Sequence, residues 1–295
     1  MRPRVLDLDG SVLALPAEQR IDLLDWQERL RFSCRMHDLQ ALADRLHGEI
    51  QGPDPVFMGS GDFHHLSIPL IRARCTQGMD VIVLDNHPDN MRFPWGVHCG
   101  SWVAHVAAMS EVHAIHVVGI HASDVRAGHF WEQVWGPLYR AKVHYWTVQV
   151  AVDYARWLGL GRVVHGFESI SGLLAAFYDF LDPHRPVYLS VDKDVLDAQD
   201  VRTNWDQGVM RQHELFAVLE SLKSRLVGVD ITGEVSTYRY QNAWKRRLSA
   251  LDGQQAHQPS SNEELRQWQR IQQQFNQAFL DRLLPAIDFP HRPDR

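Results

Sequence analysis

Cysteine is scarce in this sequence: Cys34, Cys75 and Cys99 are the only three among 295 residues. Their number is odd, and their spacing makes neither a thiolate zinc pattern nor a disulfide framework. A reducing, cytoplasmic setting is therefore expected. No apolar run approaches the roughly 20 residues that a membrane-spanning helix needs, so no membrane role is expected. The first ten residues carry Asp7 and Asp9 where a secretory leader would have its apolar centre. Positive charge is not in excess either, since 30 Lys and Arg against 36 Asp and Glu leave a net charge of −6. Nucleic-acid binding calls for basic patches and is not expected. Internal repeats are absent too. Hydrophobic residues make up 45% of the chain, enough for a sizeable core. The length suits one α/β domain over 1–295.

What is there centres on residues 81–90, Val-Ile-Val-Leu-Asp-Asn-His-Pro-Asp-Asn. The apolar run predicts a strand buried on both faces, stopped by Pro88. Before it, 1–16 read as an extended arm, and 16–48 as a helical cover, because Ile21, Leu23, Leu24, Trp26 and Leu30 recur at threes and fours. Six strands are predicted, at 55–59, 81–85, 114–120, 162–167, 187–191 and 226–230. Helices are predicted at 66–78, 101–109, 148–158, 169–181 and 212–224. A tail follows, with a flexible Gln-, Ser- and Gly-rich loop at 252–262 and a helix at 262–284, capped by Ser261 or Asn262 with Glu263 and Glu264 in its first turn. The stretch 121–146 is rich in aromatics and reads equally as a lid over a cation, an oligomer interface or ordinary packing. Strands alternating with helices predict a three-layer, doubly wound parallel sheet with helices on both faces. In such a sheet the strand carboxyl ends share one edge, and ligands bind there.

The chemistry sits at those ends. His64, Asp85, His87, Asp89, His98, Asp124, Asp192, Asp194 and Asp230 all follow predicted strands. Any one of them alone is explained as a cap or turn residue. Two acid-x-ligand patterns at two strand ends are not. Side chains alternate along an extended chain, so Asp85, His87 and Asp89 can face one way, as can Asp192 and Asp194. Burying these carboxylates and imidazoles together needs a partner, and a cation is the simplest. Four carboxylates and two imidazoles suit two divalent ions, Mn²⁺ before Fe²⁺, Co²⁺, Ni²⁺ or Zn²⁺. Two such ions can share a water and turn it into a hydroxide near neutral pH.

These motifs resemble those of the ureohydrolases: arginase, agmatinase, formimidoylglutamase and their relatives. Asp85-Asn86-His87-Pro88-Asp89 matches the family's Asp-x-His-x-Asp. Ser190 to Asp197 matches Ser-x-Asp-x-Asp-x-x-Asp, with Ala198 in place of the usual proline. Gly61-Asp62-Phe63-His64 matches Gly-Gly-Asp-His loosely, Phe63 replacing an acid, and His65 is an alternative to His64. The resemblance covers about residues 55–235.

It implies an arginase/deacetylase-like fold and a pair of Mn²⁺ ions. One would be held by His64, Asp85, Asp89 and Asp192, the other by Asp85, His87, Asp192 and Asp194. Asp89 would help move a proton to the leaving amine. His98 would be a proton shuttle or substrate contact, and Asp124 and Glu234 substrate contacts. Glu234 lies four residues after Asp230 rather than the family's three, and Glu168 is a further polar candidate by position. The expected activity is hydrolysis of a linear C–N bond in a small cationic guanidine or amidine, by a homo-oligomer, trimer or hexamer. The alternatives are a deacetylase-like amide hydrolase with one zinc, and a metal-binding homologue without turnover.

Overall fold

A computed structural model describes residues 2–50, 52–251 and 258–284. Val81, Ile82, Val83 and Leu84 are all fully buried and lie near the middle of a nine-stranded sheet. The strands are β1 Arg4–Asp7, β2 Gln19–Asp22, β4 Pro55–Phe57, β5 Met79–Leu84, β7 Val112–Ile120, β8 Val143–Val148, β9 Val164–Phe167, β10 Val187–Asp192 and β11 Leu226–Thr232. They run in the order β2-β1-β4-β11-β10-β5-β7-β8-β9, and every neighbouring pair is parallel. Two further strands, β3 Ser33–Cys34 and β6 Val97–His98, form a separate antiparallel pair. All six predicted strands are present.

Three strands of the sheet go beyond the prediction. β1, predicted as part of an arm, is an interior strand between β2 and β4. β2 lies within the stretch predicted as a helical cover. Ile21 and Leu23 are buried there while Leu24 is 51% exposed, an alternation of two and not a helical stripe. Its polar residues suit an edge position. The helix of that stretch is confined to a 3-10 turn, Leu24–Trp26, running into Gln27–Leu30, and to Met36–Arg45. β8 emerges from the aromatic stretch, where His144, Tyr145 and Trp146 mask a fully buried strand. The helix predicted at 148–158 is reduced to Tyr154–Trp157.

Helices cover both faces. Met36–Arg45, Ser67–Arg74 and Trp102–Ala107 pack in one apolar layer. Ile170–Phe180, Gln212–Leu222 and Asn262–Leu283 pack in the other. The last of these starts as predicted: Ser261 accepts the Glu264 amide at 3.1 Å. Of the loop predicted at 252–262, residues 252–257 lie outside the described residues. The parallel sheet brings the carboxyl ends of β4, β5, β10 and β11 side by side, and the acid- and histidine-bearing turns start there.

Candidate metal centre

His64 sits in a 3-10 turn, Gly61–Leu66, directly after β4. Arg31 fixes that turn from below. Its Nε donates to Asp62 at 2.6 Å, its Nη1 to Asp9 at 3.2 Å and its Nη2 to Ser236 at 2.7 Å. Phe63, the departure from the family pattern, is fully buried with the Arg31 guanidinium 5.3 Å from its ring centre. His64 faces the carboxylates. His65 is turned into the interior, where burial holds it neutral, well below its ordinary pKa. Asp85, Asn86, His87 and Asp89 leave the end of β5. Asp192 ends β10, and Asp194 follows in the turn Lys193–Val195, its amide bonded to Asp192 Oδ1 at 3.1 Å.

Two groups of ligand atoms result, each drawn within 4.8 Å: His64, Asp85 and Asp89, and Asp85, His87 and Asp194. His64 Nδ1 lies 3.2 Å from Asp85 Oδ2, 3.0 Å from Asp89 Oδ2 and 3.5 Å from Asp192 Oδ2. His87 Nδ1 lies 3.0 Å from Asp194 Oδ2 and 3.6 Å from Asp85 Oδ1. Asp85 belongs to both groups, and Asp192 adjoins the first. Asp85 Oδ2 is buried and, although close to His64, receives no hydrogen bond of good geometry. A buried carboxylate with one oxygen near each of two imidazoles, and one of those oxygens short of a hydrogen bond, suits a cation. No cysteine belongs to either group; Cys99 lines the cavity beside His98.

The electrostatics say the same. Burial raises Asp89, and the charge of Asp85 raises it further, to about 7. Asp194 is pushed up to about 7 by burial and Asp85, and Asp192 well above its ordinary value by burial and Asp194. Burial opposes charge on His64 and His87, yet the facing carboxylates hold both well above their usual range. Asp85 goes the other way: burial would raise it, but the two imidazoles pull it down. The cluster thus balances its negative charge with protons, and divalent cations supply the same balance.

Supporting contacts orient the ligands. His64 Nε2 is 2.9 Å from Ser190 Oγ, Ser190 Oγ donates to Asp230 Oδ1 at 2.6 Å, and Tyr188 OH donates to Asp230 Oδ2 at 2.7 Å. The serine of the β10 motif and the acid of β11 are therefore struts behind His64. Trp102 Nε1 donates to Asp89 Oδ2 at 2.6 Å, a contact that no motif signalled.

A cavity of about 460 Å³ opens over the two groups. His98, at the end of β6, lines it, stacked on Phe93 and edge-on to Phe32, with Nδ1 accepting the Gly100 amide at 2.9 Å. Asp124 lines it too, in the turn Ser123–Val125, with its pKa raised by burial. Glu234 is not brought there. It accepts from Lys193 Nζ at 2.5 Å and Asn276 Nδ2 at 2.7 Å, beneath the helix Asn262–Leu283. Gly233 explains the turn away: at φ +89° it passes so close to Asp192 that a Cβ would stand 2.5 Å from Oδ1, and only glycine fits. Glu234, four residues after Asp230, thus stands on the far side. Glu168 does not line the cavity either.

The sequence model of the arginase family matches residues 21–243. The chain belongs to the arginase family. An uncharacterized protein of Thermotoga maritima is 27% identical over 199 residues, covering 66% of this chain and 65% of that protein. The chain thus spans less than two thirds of that relative's length. Among solved structures, proclavaminate amidino hydrolase from Streptomyces clavuligerus aligns at a TM-score of 0.46 with 24% identity, over 80% of this chain and 70% of that one. Formimidoylglutamase from Bacillus subtilis aligns at 0.46 with 17% identity, over 84% of this chain and 74% of that one. The arginase-family chain has the family's three-layer α/β fold around its nine-stranded parallel sheet.

Proposed function

We propose that the protein is a hydrolase of a linear C–N bond in a small guanidine or amidine, working with two divalent cations, Mn²⁺ by preference. The observation that carries this reading is the convergence of His64, Asp85, His87, Asp89 and Asp194, with Asp192 adjoining, on the floor of one cavity. The donor set is oxygen and imidazole nitrogen, which Mn²⁺ accepts. His64, Asp85, Asp89 and Asp192 would hold one ion, and Asp85, His87, Asp192 and Asp194 the other. The ions when bound supply a water activated near neutral pH and a Lewis acid for the tetrahedral charge.

The chain's own groups do the rest. Asp89, with Oδ2 anchored by Trp102, would accept a proton beside the reacting carbon and pass it towards the leaving amine. His98, with Nδ1 accepting the Gly100 amide and Nε2 3.6 Å from Cys99 Sγ, would meet proton traffic or substrate at the cavity wall. Asp124 would meet the substrate at the cavity wall. Glu234 has no such task in this reading, because Lys193 already takes its charge. That pairing points to a substrate held differently from one clamped at the β11 end.

The test is metal content per chain on the full-length protein, reconstituted with Mn²⁺, followed by a guanidine and amidine panel scored for urea or ammonia. Uptake of about two ions, lost in Asp192→Ala, together with turnover is the expected result. One tightly held zinc with amide hydrolysis would replace the reading with a deacetylase-like one. Two ions and no turnover on any compound would leave a metal-binding homologue. The same preparation in solution tests assembly as a trimer or hexamer, and cell fractionation tests a cytoplasmic site of action.

A further inference from the structure

Asp206 lies in the loop 202–208, Arg-Thr-Asn-Trp-Asp-Gln-Gly, where no spacing marks a ligand. Its Oδ1 is 2.9 Å from His87 Nε2. Its Oδ2 accepts Asn86 Nδ2 at 3.3 Å, and its backbone carbonyl accepts the same amide at 3.0 Å. Asn86 in turn uses its Oδ1 to accept the His121 amide at 3.2 Å, tying the arrangement to the end of β7. The two nitrogens of His87 therefore face different groups. Nδ1 points to Asp194 and Asp85, and Nε2 to Asp206.

An imidazole ligates a cation through an unprotonated nitrogen, and its other nitrogen carries the proton. A carboxylate on that second nitrogen fixes the tautomer and the ring rotation and makes the ligand more basic. Asp206 stands at that place. The loop is built to hold it there. Trp205 meets the His87 ring edge-on at 6.0 Å and packs so closely over Gly61 that a Cβ would lie 3.0 Å from its ring. Asn204, buried, accepts the Ser236 amide at 2.7 Å, and Gln207 donates to the carbonyls of Leu196 and Val201 at 3.1 and 2.7 Å.

We infer that Asp206 is a positioning residue for His87, setting its ring for the cation that Asp85 and Asp194 also face. The inference rests on the metal reading above and adds to it a group outside the two acidic motifs. The Asp206 side chain is 53% exposed, so direct attraction for the cation is screened and orientation is its contribution. In Asp206→Ala the Asn86 amide keeps the backbone carbonyl of residue 206 as its acceptor, so little change in the fold is expected.

The test is Mn²⁺ titration of the full chain by calorimetry, with electron paramagnetic resonance reporting paired and lone ions. Asp206→Ala is compared with Asp206→Asn, whose amide oxygen can still accept from Nε2–H. In Asp206→Ala the first ion binds as in the unaltered protein and the second about 10- to 100-fold more weakly, so the paired-ion signal fades at limiting metal. Asp206→Asn recovers most of the loss, and the melting temperature of metal-free protein is the same for all three. Unchanged binding of both ions in Asp206→Ala overturns the positioning role. So does equal weakening of both ions, or an Asn variant as weak as the Ala variant. If the unaltered protein takes up no ion at all, it is the metal reading that fails, and the two failures are told apart.

Discussion

Asp89 is the residue where the local and the functional demands conflict most plainly. Its backbone sits at φ +46°, a left-handed conformation that costs a non-glycine residue about 1 kcal/mol or more. Asp tolerates it better than most, and two contacts hold it: the Val103 amide donates to its carbonyl at 3.0 Å, and Trp102 Nε1 to its carboxylate. Trp102 is fully buried, and its ring lies 4.8 Å from that of His64, so one indole steadies two members of the first ligand group. Trp102→Phe removes the donor and keeps most, though not all, of the buried ring volume. Mn²⁺ affinity measured by titration is expected to fall about 10-fold or more, as for other supporting contacts of metal ligands. The metal-free protein should lose no more than about 1–3 kcal/mol. Unchanged affinity would show that Asp89 needs no anchor. The role of Asp89 is legible in the sequence from its motif. That of Trp102 is not, because a side chain 13 residues on reaches it only after β6 and the following turn fold back over the site.

Among the elements, the helix Asn262–Leu283 has a part in the centre that its amphipathic pattern does not reveal. Lys193 stands between two acidic motif residues, Asp192 and Asp194, yet points away from them and is fully buried against Glu234 and Asn276. Burial opposes its charge, while Glu234 favours it. The helix, the end of β11 and the turn after β10 are thus pinned by one ion pair. Breaking such a pair on one side leaves a buried charge unmatched and costs about 3–5 kcal/mol, whereas removing both sides costs far less. Lys193→Met and Glu234→Gln should each lower the urea midpoint strongly, and the double variant should recover most of the loss. Additive losses would show that the pair is not coupled. The periodic stripe of this helix and its Ser261 cap are readable from the sequence. Its use of Asn276 to complete a buried ion pair is a contact across more than 80 residues, which no local pattern carries.

For the whole molecule, a histidine cluster outside the proposed metal site contributes acid sensitivity. His116, His144 and His165 stand on the neighbouring strands β7, β8 and β9 with rings 5.0 and 6.0 Å apart, packed on Phe177 and Phe180. Burial holds all three below the ordinary histidine value, and the neighbouring rings press His116 and His144 further; His144 is lowered to about 4. In the unfolded chain a histidine protonates near about 6.5. At these three sites the unfolded state therefore takes up protons first, and their contribution to stability is full above about 6.5 and falls as pH drops towards 4. Each proton contributes about 1.4 kcal/mol per pH unit in that window. His144→Gln should lose up to about 2 kcal/mol less than the unaltered protein between pH 6.5 and 5 in denaturant unfolding. Parallel pH curves would assign acid sensitivity elsewhere.

The same scale separates what the sequence determined from what folding decided. Buried runs such as 81–84 and 187–191 announce themselves, because a parallel strand covered on both faces must be apolar throughout. The acids at their ends announce themselves too, because four carboxylates cannot share a buried edge without a balancing positive charge, from protons or from cations. β1, β2 and β8 stayed hidden, since short, polar-edged or aromatic strands take their identity from the neighbours they pair with. Glu234, Trp102 and Asp206 depend wholly on tertiary structure. The first is held on the far side by Lys193 and Asn276, the second is carried in at the start of the helix Trp102–Ala107, and the third by the loop 202–208. The sequence by itself fixes which chemical groups gather at the sheet's carboxyl edge, since strand period and burial are local. Which groups orient them, and which face the cavity, is set only when distant segments pack.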